Sequence, residues 1–179
     1  MPPELLNIQV KKRQDFSESE YSEMLALCTQ AFKRDYSPLY KLFQDPTHIL
    51  GRYNGQLVTH ALWVTRWLQI GTSPPMRTAF IEAVATELSF RNKGFASQIM
   101  KTIAGEIQDF EIGALSTGSS SFYARLGWQF WRGTLFTRTD NKMVLTPNEH
   151  GVMVLSLPNT PRLDLDAPLS VEWRNGELW

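Results

Sequence analysis

The stretch Phe80 to Met100, FIEAVATELSFRNKGFASQIM, limits the possible folds more than any other part of the chain. A β-branched, mostly apolar run breaks at Ser89, turns through Arg91-Asn92-Lys93-Gly94-Phe95-Ala96, and opens into an amphipathic helix. A strand feeding a helix through a glycine turn gathers several backbone N–H groups and the positive end of the helix at one point. That point suits a pyrophosphate.

The elements around it follow from periodicity and punctuation. Leu5 to Lys11 reads as a strand with Leu6, Ile8 and Val10 alternating. Ser17-Glu18-Ser19-Glu20 has the spacing of a capping box, and Tyr21, Met24, Leu25, Cys28 and Phe32 then mark one helical stripe. Ser37-Pro38 opens a shorter helical turn through Leu42. Asn54-Gly55 between Ile49–Tyr53 and Leu57–Val64 is a hairpin signal, the second strand runs on to about Ile70, and Arg77 to Glu87 makes a fourth strand. Phe95, Ile99, Ile103 and Ile107 support a helix to about Phe110. Ile112 to Ser116 is a short strand, Ser121 to Leu126 a short helix, and Trp128 to Arg138 a strand. Val152 to Leu157 and Leu169 to Trp173 close the order as strands flanking a proline-bearing loop. Strands clustered as a meander before the central helix argue for an α/β fold with a mixed, mostly antiparallel sheet flanked by helices, because a purely parallel sheet needs a helix between each strand pair.

Length and composition exclude several function classes. At 179 residues the chain is expected to form a single domain, 1–179, without a linker. Basic and acidic residues number 18 each and form no long block, which argues against nucleic acid or an anionic membrane as partner. The one cysteine, Cys28, falls on a helical stripe, so neither an internal disulfide nor a metal cluster is expected. No run of about 18 apolar residues is present, and Met1-Pro2-Pro3-Glu4 lacks the regions of a signal peptide, so the expectation is a soluble, cytoplasmic protein. His48, His60 and His150 have no metal spacing, and His60 on a strand reads as a satisfied core histidine.

A strand ending in Arg-x-x-Gly-x-Ala at the head of a helix, placed fourth after a meander, resembles the acetyl-CoA motif of the GNAT N-acetyltransferases; Arg91 to Ala96 match it. Phe122-Tyr123-Ala124-Arg125-Leu126-Gly127-Trp128 is similar to that family's next signature. Over most of the chain, Phe32–Ser37, Phe80–Ala85, Gly113–Ser116, Gly127–Gly133 and Trp173–Trp179 look like the aminoglycoside 2'-N-acetyltransferases, an antibiotic-resistance family, although Glu177 stands where that family has aspartate. The resemblance implies acetyl-CoA as co-substrate, no metal, a small-molecule amine as acceptor, and a homodimer. It implies that the main chain of Val84, Ala85 and Thr86 pairs with the pantetheine arm, and that Arg91, Asn92, Lys93, Gly94, Phe95 and Ala96 hold the pyrophosphate. Glu82 is implied as general base through water and Tyr123 as general acid. Asp35, Glu82, Ala83, Ser116, Glu149, Glu177 and the Trp179 carboxylate are implied to hold a cationic acceptor.

The residues carry part of this chemistry on their own. Direct acetyl transfer needs a neutral amine, a polarised thioester carbonyl and a proton for the departing thiolate. Glu82 lies on an otherwise apolar strand, where a charge is costly unless used or paired, so it is either the base or half of an ion pair. The Val84 N–H is a candidate oxyanion donor. Tyr123 has a phenol whose ordinary pKa of about 10 lies near that of an alkyl thiol, and its other reading is a core tyrosine. A ping-pong route needs Cys28, which falls on a core stripe. Other acceptors remain open, namely a polyamine or a peptide N-terminus, as does a non-catalytic acyl-CoA sensor.

Overall fold

The computed structural model describes residues 5–140, 142–146 and 151–179. The chain divides into two compact units, Met1–Val64 with Ile81–Gly105, and Thr65–Phe80 with Glu106–Trp179. Two long strands, β3 (Gln56–Ile70) and β4 (Met76–Thr86), each change unit along their length.

In the first unit, β1 (Asn7–Lys12) pairs antiparallel with β2 (Thr47–Tyr53), and β2 pairs antiparallel with the first part of β3 from Gln56 to Trp63. The β2–β3 turn is Asn54-Gly55, at φ 50° and 83°, the left-handed pair that a primed hairpin turn requires. Helix α1 (Glu18–Phe32) opens on the expected capping box: Ser17 Oγ accepts from Glu20 N at 3.2 Å, and Glu20 Oε2 accepts from Ser17 N at 3.0 Å. Such a cap is worth about 1 kcal/mol. The buried face of α1 is Met24, Leu27 and Cys28. The expected stripe is therefore rotated, with Phe32 at the exposed end and Leu27 inside. Helix α2 (Ser37–Tyr40) is shorter than its expected turn, and α3 (Phe95–Glu106) buries Phe95, Ile99, Met100 and Ile103.

Behind α2 lies a buried polar set. His48 and His60 are essentially inaccessible, and His48 Nδ1 lies 3.1 Å from His60 Nε2. Burial first, then the positive charges of Arg13 and Lys12, push the His48 pKa down to about 4. An imidazole near 6.5 in the unfolded chain is thus held neutral in the folded one. Its contribution to stability is complete above pH 6.5 and is lost as the pH falls through 6.5 towards 4, in total about 3 kcal/mol. Urea midpoints measured between pH 7 and pH 4.5 should fall less steeply in His48→Gln than in the native chain; parallel declines would contradict the shift.

In the second unit, β5 (Ile112–Thr117) pairs antiparallel with β9 (Gly151–Ser156), and β6 (Gln129–Phe130) pairs with β9 as well. The end of β3 pairs with β10 (Leu169–Glu172), β10 runs parallel to β7 (Leu135–Arg138), and β7 pairs antiparallel with β8 (Met143–Leu145). The single strand expected over Trp128 to Arg138 is split because β6 and β7 serve different partners. Between them, Arg132 N and Gly133 N donate to Leu165 O at 2.9 and 3.0 Å, and Trp131 Nε1 donates to Ala167 O at 2.9 Å. The proline-bearing loop thus takes the donors that a continuous strand would have offered to a neighbour. Strand β10 is paired with β7 along its length and with β3 at Leu169 and Ser170. Helix α4 (Ser120–Ala124) precedes β6.

The fold is a mixed, mostly antiparallel sheet flanked by helices, as expected from the meander, with β10–β7 supplying a parallel pair. Among the described residues no helix is long and apolar enough to cross a membrane.

Candidate active site

Within the first unit, β4 carries the residues singled out for chemistry. Glu82, Val84 and Thr86 are partly exposed, while Ala83 and Ala85 are buried. The carbonyl of Ala85 accepts from Thr59 Oγ1 at 2.9 Å, which also meets Thr86 Oγ1 at 2.9 Å. Ala83 departs from extended geometry, at φ 53°. Left-handed alanine is uncommon and costs about 1–2 kcal/mol.

Beyond β4, Leu88–Phe90 form a short 3₁₀ turn, and Glu87 caps it by accepting from Ser89 N at 3.4 Å. Asn92 at φ 64° and Gly94 at φ 82° then bend the chain into α3. The first rung of that helix runs from Gln98 N to Gly94 O at 3.1 Å, which leaves the N–H groups of Phe95, Ala96 and Ser97 ahead of the ladder. Arg91, Asn92, Lys93 and Gly94 are exposed, and a Cβ on Gly94 would meet no atom within 4 Å. Unobstructed amides, two cationic side chains and a helix N-terminus fit the pyrophosphate of a coenzyme A. Lys93 Nζ stands 5.3 Å from the Phe90 ring and 5.9 Å from Tyr53, so an aromatic wall of Tyr53, Phe90 and Phe95 backs the turn. The sequence reading did not single out that wall; Phe90 directly before Arg91 was its signal.

Gly94→Val tests this turn. A β-branched residue at φ 82° is strained by about 1–3 kcal/mol, so the KM for acetyl-CoA should rise by roughly 10- to 100-fold. An unaltered KM would contradict a pyrophosphate cradle there.

Asp35, also in the first unit, is fully exposed. Its Oδ1 accepts from Ser37 N at 2.9 Å, and hydrogen bonding from Ser37 holds its pKa below the usual aspartate value. In this structure it stabilises the entry to α2.

The other expected residues belong to the second unit. Tyr123 is buried in α4, with its ring edge-on to Phe122 at 4.8 Å and to Trp128 at 6.3 Å. Burial pushes its pKa up to about 12. The phenol therefore stays protonated at physiological pH, as a proton donor must, while being a weaker acid than an exposed tyrosine. Ser116 is half-buried near the end of β5, opposite Val152. Glu177 is exposed, and its main-chain carbonyl accepts from Arg174 Nε at 2.6 Å. Trp179 has its indole N–H buried without a hydrogen-bond partner. Glu149 lies outside the described residues.

The C-terminal tail is tied down by a residue that sequence reasoning missed. Arg66 is 2% exposed and donates from Nε to Glu172 Oε1 at 2.7 Å, from Nη2 to Glu172 O at 2.8 Å and from Nη1 to Leu178 O at 3.1 Å. Its guanidinium lies 5.4 Å from the Phe80 ring, where Arg174 also stacks at 5.9 Å. No group of three or more metal-ligating side chains occurs among the described residues.

Comparison with known proteins identifies the family. The family profile described as an acetyltransferase (GNAT) domain matches residues 13–131. An aminoglycoside 2'-N-acetyltransferase of Mycolicibacterium fortuitum is 29% identical over 162 residues, covering 84% of this chain and 80% of that protein. Among solved structures, the GNAT-family N-acetyltransferase YhbS of Escherichia coli, crystallised in complex with CoA, aligns with a TM-score of 0.65 at 13% identity, over 95% of this chain and 91% of its own. ElaA of Escherichia coli aligns with a TM-score of 0.61 at 18% identity, over 85% of this chain and 100% of its own. Well over half of the sequence matches the family profile, and the chain belongs to the GNAT acetyltransferases, acetyl-CoA-dependent acyl-transfer enzymes.

Proposed function

We propose that this acetyltransferase moves the acetyl group of acetyl-CoA directly to the 2'-amine of an aminoglycoside. The observation that carries the reading is the similarity to the Mycolicibacterium fortuitum enzyme, which extends over 84% of this chain. In the proposed reaction the Glu82 carboxylate takes a proton from the acceptor ammonium, through water. The free amine attacks the thioester carbonyl, and the Val84 N–H donates to the oxygen as it gains charge. The C–N bond forms, the C–S bond breaks, the Tyr123 phenol gives its proton to the departing thiolate, and the bonded nitrogen sheds its second proton to water as the amide forms. Asp35, Ser116, Glu149, Glu177 and Trp179 are the proposed acceptor contacts; carboxylates among them match a polycationic substrate.

The acceptor is tested by following thiol release from acetyl-CoA with aminoglycosides bearing an amine or a hydroxyl at the 2' position, with polyamines and with peptides. Turnover confined to the 2'-amine compounds is the expected result. Turnover with polyamines or peptide N-termini alone would move the enzyme to another acceptor class, and CoA binding without any turnover would make it a sensor.

A further inference from the structure

A directional hydrogen-bond chain ends on the β4 main chain. His60 Nδ1 lies 3.3 Å from Ala83 O, 3.3 Å from Tyr40 Oη and 3.6 Å from Cys28 Sγ. Its Nε2 lies 3.1 Å from His48 Nδ1. A carbonyl oxygen only accepts, so the contact with Ala83 is attractive when Nδ1 of His60 carries the proton. Every other proton then follows. Nε2 of His60 becomes an acceptor and takes the Nδ1–H of His48. The remaining nitrogen of His48, Nε2, is left as a lone pair, and it is indeed buried without a partner. Tyr40 Oη turns a lone pair to the ring N–H and gives its own hydrogen to Cys28 Sγ, 3.3 Å away. Both imidazoles are neutral in this arrangement, in keeping with the downward pKa shifts that burial imposes on them. The alternative tautomer sets two lone pairs against each other at Ala83 and leaves a buried N–H on His48 without an acceptor, the rarer and costlier kind of orphan.

The acceptor of this chain is not an ordinary strand carbonyl. Ala83 is the left-handed residue of β4, and its carbonyl shares a planar trans peptide with the Val84 N–H. Fixing one end of that peptide fixes the direction of the other, and a hydrogen bond on the carbonyl polarises the N–H into a stronger donor. We infer that His60 is a positioning residue for acetyl transfer: its ring N–H holds the Ala83 carbonyl, and through that peptide it aims the Val84 N–H at the thioester oxygen. The inference rests on the proposed role of Val84 as oxyanion donor. His60 touches neither substrate, and His48, Tyr40 and Cys28 serve to set its tautomer.

The experiment has two arms. In the native protein, long-range ¹H–¹⁵N spectra of the imidazoles report the tautomer directly; the Nδ1–H form of His60 is expected, and the Nε2–H form would overturn the inference. In the second arm, His60→Asn and His60→Leu are compared, because an asparagine amide N–H occupies nearly the position of Nδ1–H whereas leucine offers no donor. A lost oxyanion donor costs about 100- to 1,000-fold in kcat, and one left in place but misaimed should cost roughly 10- to 100-fold. His60→Leu is therefore expected to lose that much kcat while the dissociation constant of CoA, measured by calorimetry, changes little. His60→Asn should recover most of the loss. A His60→Leu enzyme with native kcat, or an Asn variant no better than Leu at equal thermal stability, would overturn the assignment. Native turnover is measured first: its absence with every amine would sink the transfer reading and this inference together, whereas native turnover with the wrong tautomer sinks this inference alone.

Discussion

Replacing Glu82 by Gln should lower kcat/KM for the amine acceptor by about 100- to 10,000-fold near neutral pH, the usual worth of a positioned general base. The deficit should shrink as the pH approaches the pKa of the acceptor ammonium, because more amine then arrives already neutral. Glu82 sits partly exposed on β4, one residue before the left-handed Ala83, and glutamine keeps its size while losing the basic oxygen. Full pH profiles of both enzymes check the role. A variant with the native profile merely scaled down, or not reduced at all, would leave Glu82 as a structural carboxylate.

Arg66→Ala carries the largest expected stability effect. The guanidinium is buried and donates to Glu172 and Leu178, so its removal strands two main-chain carbonyls and a carboxylate as well as the packing against Phe80. Removing one member of a buried ion pair typically costs about 3–5 kcal/mol, and the lower end applies because Glu172 is 35% exposed. With a urea slope of about 2 kcal/mol per molar, the midpoint should fall by roughly 1.5 M. Glu172→Gln keeps acceptors in place and should fall less. Equal midpoints for Arg66→Ala and the native chain would contradict the role of this residue as anchor of the tail.

How much of the fold could be read in the sequence depends on how local each instruction is. The capping box of α1, the Asn54-Gly55 turn and the Gly94 bend are written in adjacent residues, and the structure has all three. The stripe of α1 is legible at Met24 and Cys28 but not at its margins, because Tyr21 and Phe32 look apolar but face partly outward while Leu27 fills the core. Strand β8 carries no alternation at all, since Met143, Val144 and Leu145 are each exposed, although it pairs antiparallel with β7. The break between β6 and β7 is set by Leu165 and Ala167, more than thirty residues downstream.

The site divides in the same way. The turn from Arg91 to Ala96 was legible because glycine punctuation and helix periodicity coincide there. Arg66 was not, since a charged residue on a strand reads as surface until Glu172, 106 positions later, is seen beside it. Ala83 gives no signal either: nothing in an alanine announces a positive φ, and the His60 contact that accompanies it spans 23 residues.

The central claim is acetyl transfer from acetyl-CoA straight to an amine, with no acetylated protein between. Initial rates of thiol release, measured over a grid of acetyl-CoA and 2'-amino aminoglycoside concentrations, test it most directly. The account predicts one thiol released per amide formed and double-reciprocal lines that intersect, the signature of both substrates bound together. Parallel lines with acetyl trapped on the protein, or CoA binding without thiol release in the presence of any amine, would contradict it.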